Sequence, residues 1–355
     1  MTRLRIAVIA PSDSAVAEPF TGGLAAHVAA STRALCQRGH AVTLFAAPGS
    51  DPSLPVADLA PRRLRLSEAA RQDVSMPAES AMAEHHAYLS LMLQLTQQAD
   101  QWDVIHNHSL HYLPIAMARS VTVPMVTTLH TPPTPWLESA IQAGPVPPIR
   151  FVAVSEYTAA QWRPLIDVVS VIANGVDCAH WQFGTGGPAL VWSGRFVPEK
   201  APHLAIAAAR RAGRSIVLAG PIPDPRYFAA QVQPLLGDDV RYAGHLRQAE
   251  LSRLIAGSGV LVASPVWDEP YGMVVAEALA CGTPVAAFRR GGIPEIVDSS
   301  CARLAPPGDV DALAEAIRGA EGLDRRDARR RAEQHCSIEL MMDGYEALLE
   351  AMVPA

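Results

Sequence analysis

Trp267-Asp268-Glu269-Pro270-Tyr271-Gly272-Met273-Val274-Val275-Ala276-Glu277-Ala278-Leu279-Ala280-Cys281-Gly282-Thr283-Pro284-Val285 is the stretch on which the fold turns. The apolar run just before it, residues 259–263, predicts a strand. An acidic turn leads to Gly272, where an apolar helix begins, and Gly282 stops that helix. Thr283-Pro284 turns the chain into a further strand. Strand, turn, helix and strand in that order are the unit of a doubly wound parallel sheet. A helix N-terminus facing a cleft offers free N–H groups and a positive dipole end, which suits a phosphate. Glu269 and Glu277 bracket that terminus. The remaining chain reads as a scaffold that brings a second substrate to this turn.

Working outward, 355 residues are enough for two cores, and 49% of them are hydrophobic, so each half can bury its own. The net charge of -6 argues against a nucleic-acid surface. The one dense basic run, Arg325, Arg326, Arg329, Arg330 and Arg331, is expected to be a solvated helix face. Lys200 is the only lysine, which marks a place where an ammonium is wanted or reflects an arginine-biased genome. The five cysteines are scattered without metal or redox spacing and read as free thiols in a reducing compartment. No signal-peptide core precedes the first strand, and no apolar run is long enough to span a bilayer. The expectation is a cytoplasmic protein, with loose contact to a membrane surface left open.

In chain order, residues 5–10 predict a strand, 24–38 a helix opened by Thr21-Gly22-Gly23, and 41–46 a second strand. The fingerprint G-x-G-x-x-G is absent, so NAD or FAD is not indicated. Residues 48–75 read as irregular because four prolines interrupt them. A helix over 79–98 and strands over 102–106, 124–129, 149–154 and 168–172 follow, with a helix over 155–163. His106, His108 and His111 invite a metal reading. No carboxylate or thiolate partner is near them, so hydrogen bonding or contact with a polar acceptor is favoured. Residues 131–148 read as a proline-rich loop lining an acceptor cleft. The stretch from Gly184 to Gly187 reads as a linker. The second half then alternates strand and helix like the first, without a sequence repeat, including a helix over 227–236. Asp309-Val310-Asp311 has the letters of a D-x-D metal motif but the setting of a helix cap. Trp267 and Tyr271 read as either core or a sugar-facing wall, with the core favoured. A helix over 337–352 closes the chain.

Ser193-Gly194-Arg195-Phe196-Val197-Pro198-Glu199-Lys200 and the Glu269–Ala278 segment together resemble the retaining glycosyltransferases of family 4, which have the GT-B fold. Gly282-Thr283-Pro284-Val285 and Gly291-Gly292-Ile293-Pro294-Glu295-Ile296-Val297 continue the match. Weaker echoes lie in Thr21-Gly22-Gly23, Asp103-Val104-Ile105-His106, Thr128-Leu129-His130, Val154-Ser155 and Ile172-Ala173-Asn174-Gly175-Val176-Asp177. The resemblance covers nearly the whole chain. It implies an α/β protein of two Rossmann-like doubly wound domains facing each other across a cleft. Residues 1–177 would bind the acceptor and residues 178–337 a nucleotide-diphosphate sugar. The last helix, 338–355, would cross back to the first domain.

By that resemblance Glu269 and Glu277 are an E-x7-E pair. Glu269 would hydrogen-bond the donor sugar and Glu277 the ribose. The N–H groups of Gly272, Met273 and Val274 would hold the diphosphate. Arg195 and Lys200 would neutralise it as the sugar leaves. Gly22 and Gly23 would let the opposing backbone close on the same phosphates, and His130 would contact the sugar. The base would sit near residues 242–246. The implied reaction transfers a hexosyl or related group from a UDP- or GDP-sugar to a hydroxyl of a sugar, lipid-linked or small-molecule acceptor. It would proceed with retention and with neither metal nor other cofactor. A covalent role for Glu269, as in two-step glycosidases, is set aside because retention in the family is usually described as departure and attack on one face. A nucleotide-sugar epimerase or hydrolase of the same fold and a non-catalytic nucleotide-sugar-binding subunit are the alternatives. The chain departs from the family at Ala201, where glycine commonly follows the lysine.

Overall fold

The structure, a computed structural model, describes residues 3–144 and 148–353. Among the described residues, thirteen strands form two all-parallel sheets. The first contains β1 Arg5–Ile9, β2 Ala41–Ala46, β3 Val56–Asp58, β4 Val104–Asn107, β5 Met125–Leu129, β6 Ile149–Ala153 and β7 Val169–Val171, in spatial order β3-β2-β1-β4-β5-β6-β7. The second contains β8 Leu190–Ser193, β9 Ile216–Ala219, β10 Val240–Tyr242, β11 Leu261–Ala263, β12 Val285–Phe288 and β13 Ala302–Ala305, in order β10-β9-β8-β11-β12-β13. β4, β5, β9, β11 and β12 are buried along their whole length. Helices cover both faces of a parallel sheet, which is why these strands read as continuous apolar runs rather than alternating ones. In both sheets the strand order reverses beside the first strand, and the crevice there opens at the strands' C-terminal ends.

The closing helix Ile338–Met352 packs on the first sheet, with Met341, Met342, Tyr345 and Leu349 in one core with Leu4, Ile6 and Val8. Glu346 binds it down, meeting Arg38 at 2.6 Å and His40 at 3.0 Å. The chain passes between the sheets twice, and the passages run side by side. Val176 N donates to the Cys336 carbonyl at 2.8 Å and Ile338 N to the Val176 carbonyl at 3.0 Å. Glycine is required at 175, since a Cβ there would lie 2.5 Å from the Ser337 carbonyl oxygen.

Several local expectations are corrected. Residues 131–148 are not one loop, because Pro135–Gln142 is helical. Proline at the first helical position starts a helix rather than breaking it, and the Thr134 side chain caps it. Residues 145–147 of that stretch lie outside the described residues. The irregular span 48–75 contains the edge strand β3 and a short helix, Glu68–Arg71. The helix expected over 227–236 is broken into short pieces with a π turn, Phe228–Val232, ahead of Pro234. The stretch from Gly184 to Gly187 is not a free linker. A Cβ at Gly184 would lie 2.3 Å from the Ala256 carbonyl oxygen and one at Gly187 2.4 Å from that of Gly257, so this backbone is packed on the end of the helix Gln248–Ala256.

The arginine run is only partly a solvated face. Arg326 and Arg330 are exposed, but Arg325 and Arg329 turn inward from the helix Arg325–His335. Arg325 donates to the carbonyls of Gly184, Ala256, Ser258 and Cys281 and to Thr283 Oγ1. Arg329 donates to those of Cys178, Trp181 and Ala280. Their spacing puts both on one helix face, where the guanidinium forks collect carbonyls left unpaired at helix ends.

Candidate active site

A cleft of about 690 Å³ lies between the two sheets. It is lined just beyond the C-terminal ends of β1, β5, β8, β9 and β11, by Pro11, His130, Gly194, Gly220 and Ser264 among others. All ten residues singled out in the sequence line it: Gly22, Gly23, His130, Arg195, Lys200, Glu269, Gly272, Met273, Val274 and Glu277.

Two helix N-termini converge there from opposite domains. Gly272 caps the helix Met273–Ala280 with φ 117, a left-handed conformation that glycine takes without strain. Its neighbour across the cleft is the helix Gly23–Gln37, and a Cβ on Gly23 would stand 3.1 Å from Met273 Cγ. The first-turn N–H groups of both helices lack intrahelical acceptors, and each terminus carries about half a positive charge. Arg195 and Lys200 add full charges from the β8 loop. Arg195 is half-exposed and pairs loosely with Glu199 at 3.7 Å.

Lys200 Nζ lies 2.5 Å from Glu269 Oε1 and 5.1 Å from the centre of the Trp267 ring. Trp267 is therefore a half-buried wall of the cleft under the ammonium, not a core residue, whereas Tyr271 is buried. The backbone of Glu269 is fixed by Gly291-Gly292. Gly292 N donates to the Glu269 carbonyl at 2.7 Å, and a Cβ on Gly291, at φ 55, would fall 2.1 Å from that oxygen. Glu277 is 6% exposed, and among the described residues no hydrogen bond or ion pair holds its carboxylate. Burial pushes its carboxyl up to about 7.

Ala201 explains why glycine suits the position after the lysine. It has φ 44 and is the one non-glycine residue at positive φ among the described residues. Its carbonyl is held by Ser264 Oγ at 2.9 Å. A left-handed alanine costs about 1–2 kcal/mol, so Ala201→Gly is expected to raise stability by about 1 kcal/mol. Urea denaturation reads this directly, and a lower midpoint for the variant contradicts it.

The geometry now meets the comparisons with known proteins. Residues 21–180 match the family model described as Glycosyltransferase Family 4, and residues 179–335 match Glycosyl transferases group 1. Glycogen synthase of Mycobacterium tuberculosis is 30% identical over 339 residues, covering 84% of this chain and 82% of that one. The chain belongs to the family 4 glycosyltransferases. D-inositol 3-phosphate glycosyltransferase of Mycolicibacterium smegmatis is 27% identical over 396 residues, covering 98% of this glycosyltransferase and 90% of that protein. Among solved structures, a glycosyltransferase of avilamycin A biosynthesis matches with TM-score 0.71 at 23% identity, over 99% of both chains. The Anabaena protein HepE in complex with UDP-glucose matches with TM-score 0.74 at 17% identity, over 98% of this chain and 100% of that one. The fold of this glycosyltransferase is GT-B.

Three features of the transferase's site escaped the sequence. The first is a clamp between the domains. Glu295 accepts from the N–H groups of Glu156 and Tyr157 at 2.8 and 2.7 Å, capping the helix Glu156–Trp162 from the other domain. Ser155 Oγ and Thr158 Oγ1 donate to the Pro270 carbonyl, next to Glu269, at 2.5 and 3.0 Å. Both segments had been noted as motifs, but the contact between them has no sequence signal.

The second is a buried histidine chain. Tyr345 OH meets Thr128 Oγ1 at 3.0 Å, and Thr128 Oγ1 meets His106 Nε2 at 2.9 Å. The His106 and His108 rings are 3.9 Å apart, and His108 Nδ1 meets His130 Nε2 at 3.0 Å. Burial, with the neighbouring imidazoles, holds His106, His108 and His130 below the ordinary histidine range. His130 is thus neutral at pH 7 and oriented by His108. His111 stands apart, stacked on Tyr88. His27 takes its place, and the ring nitrogens of His27, His108 and His130 lie within 4.8 Å of one another. Three neutral imidazoles can serve a metal, but two of these are already paired by the His108–His130 hydrogen bond.

The third is a link at the far rim. His245 Nε2 meets the Phe20 carbonyl at 2.9 Å across the domains, and His245 and Leu246 line the cleft. Tyr242 does not line it; its ring packs with Phe196 and Phe228.

Proposed function

We propose that this glycosyltransferase moves a hexosyl or related group from a UDP- or GDP-sugar to a hydroxyl acceptor, with retention and without a metal ion. The observation that carries the proposal is the meeting, in one cleft, of two helix N-termini from opposite domains with Arg195 and Lys200. Breaking the sugar–phosphate bond leaves negative charge on the diphosphate and positive charge on the anomeric carbon. Preorganised N–H groups of Met273 and Val274, two cations and the helix dipoles answer the first charge without reorganisation. They do the work a divalent ion does in other phosphate chemistry. Glu269, oriented by Lys200, holds the sugar hydroxyls and faces the second charge. Neutral His130 hydrogen-bonds the sugar from the acceptor side. Glu277 accepts from the ribose hydroxyls, and the base lies toward His245 and Leu246. The UDP-glucose bound to the structurally similar Anabaena protein supports a uridine nucleotide. Residues 1–177 with the closing helix form the acceptor domain in this reading, and 178–337 the donor domain.

A thermal-shift panel of nucleotide sugars in EDTA tests it. A ligand at a hundred times its Kd stabilises the native state by about 2.7 kcal/mol, so the true donor raises the melting temperature and the others do not. Transfer is expected to survive EDTA. Abolition by EDTA with rescue by a divalent ion contradicts the proposal, as does a panel in which no nucleotide sugar shifts the melting temperature.

Glu277 gives a pH dependence. Burial pushes its carboxyl up to about 7. Ribose hydroxyls donate to the carboxylate and so favour the charged form. Nucleotide affinity should therefore fall as pH drops through about 7, and Glu277→Gln should flatten the profile. Calorimetric titration with UDP measures this, and a flat wild-type profile between about pH 6 and about pH 8 contradicts it.

A further inference from the structure

Four aromatic rings stack in a column on the first domain, outside the lining of the cleft but on segments that adjoin it. Trp136 lies on Tyr112 with centroids 5.2 Å apart and planes at 22°. Tyr112 lies on His111 at 4.6 Å and 27°, and His111 on Tyr88 at 4.5 Å and 18°. The inner end is fixed: Tyr88 is buried and donates its hydroxyl to the Ala10 carbonyl at 3.0 Å, and Tyr112 OH meets His85 Nδ1 at 2.8 Å. The outer end is open, with Trp136 68% exposed.

The column stands at the C-terminal edge of the sheet, where open α/β sheets bind ligands. Ala10 precedes Pro11, His111 follows Leu110, and Trp136 follows shortly after Thr131. Pro11, Leu110 and Thr131 all line the cleft. Hydrogen-bonding groups flank the inner rings: Ser12 Oγ donates to Glu84 Oε1 at 2.6 Å, and His85 sits against Tyr112. Tryptophan is costly to leave in water, and a rigid aromatic face with polar groups at its edge is a binding element. A pyranose ring matches it, because one face of the ring presents C–H groups to a π-surface while the hydroxyls point outward at the edges.

We propose that Trp136, backed by Tyr112, is the acceptor platform of this glycosyltransferase and that its acceptor carries a pyranose ring. The proposal rests on the donor reading above, since the platform serves the second substrate of the same cleft. It places the acceptor's sugar on the first domain, stacked flat, with the attacking hydroxyl directed into the cleft.

The test uses the full chain with UDP present. Methyl α-D-glucopyranoside, methyl α-D-mannopyranoside, methyl β-D-galactopyranoside and maltotetraose are titrated by saturation-transfer NMR. At least one should bind with its ring C–H protons saturated. Trp136→Ala should weaken that binding about tenfold and Trp136→Phe only a few-fold, in line with the worth of one aromatic contact. The UDP-induced thermal shift should be the same in Trp136→Ala and wild type. The proposal is overturned if no pyranoside binds or if Trp136→Ala binds as wild type does. It is also overturned if the substitution alters only self-association in light scattering or only binding to anionic vesicles. If no nucleotide shifts the melting temperature while pyranoside binding still needs Trp136, the donor reading fails and the platform stands.

Discussion

Glu269→Gln and Lys200→Ala should each lower the rate of transfer by about 10²–10³-fold, the loss that follows removal of one preorganised electrostatic partner. The two side chains meet at 2.5 Å in a largely buried pocket, so each depends on the other for position. Glutamine keeps the shape of Glu269 but loses the charge that faces the developing oxocarbenium and the grip on Lys200. Alanine at 200 removes the ammonium from the diphosphate and leaves Glu269 with no cation to orient it. The losses should not add: the double variant should be little slower than the worse single one, because both break the same unit. Melting temperature should change far less than turnover, since neither side chain fills the core. Near-wild-type transfer by both single variants contradicts the assignment.

Arg325→Ala should be the most destabilising arginine substitution, by about 3 kcal/mol or more. Hydrogen bonds from a charged donor are worth about 1.5–3 kcal/mol each, and a carbonyl left buried without a partner costs about 1–3 kcal/mol. Arg325 serves four carbonyls and a hydroxyl, drawing together the segment at Gly184, the end of the helix Gln248–Ala256 and the end of the helix Met273–Ala280. Arg326→Ala, one residue along on the exposed side, should stay within about 0.5 kcal/mol of wild type. Guanidinium denaturation compares the two. Equal midpoints contradict the inward-facing role. The end of the helix Met273–Ala280 is under this guanidinium and its start faces the cleft, so the variant also tests whether the site depends on that anchor.

The elements that reached the sequence did so through local physics. Parallel strands buried on both faces leave unbroken apolar runs, and β1, β5 and β12 were legible for that reason. The Gly272 turn, the Gly282 stop and the Asp309 cap were legible because each solves a backbone problem with a fixed residue type; Asp309 does accept from Ala312 N at 2.9 Å. The site residues were legible as a set because they sit in two short segments and two single turns. The losses were long-range. Arg325 and Arg329 look like surface charges until the carbonyls of distant helices are placed around them. His27, His106, His108 and His130 come from a helix and two strand ends, so spacing joined His111 to His106 and His108 and left out His27 and His130. Pro135 reads as a breaker in one dimension and as the first residue of a helix in three. Glu295 and Ser155 each carried a motif, but only the structure shows Glu295 capping the helix Glu156–Trp162 and Ser155 bonded to the Pro270 carbonyl.

The most direct measurement is a crystal structure of the protein grown in EDTA with UDP. The account predicts the diphosphate against the N–H groups of Met273 and Val274, within reach of Arg195 and Lys200, with the ribose hydroxyls on Glu277 and no ion bridging the phosphates. A diphosphate seated elsewhere in the cleft, or one that enters only when a divalent ion is supplied to bridge it, contradicts the account.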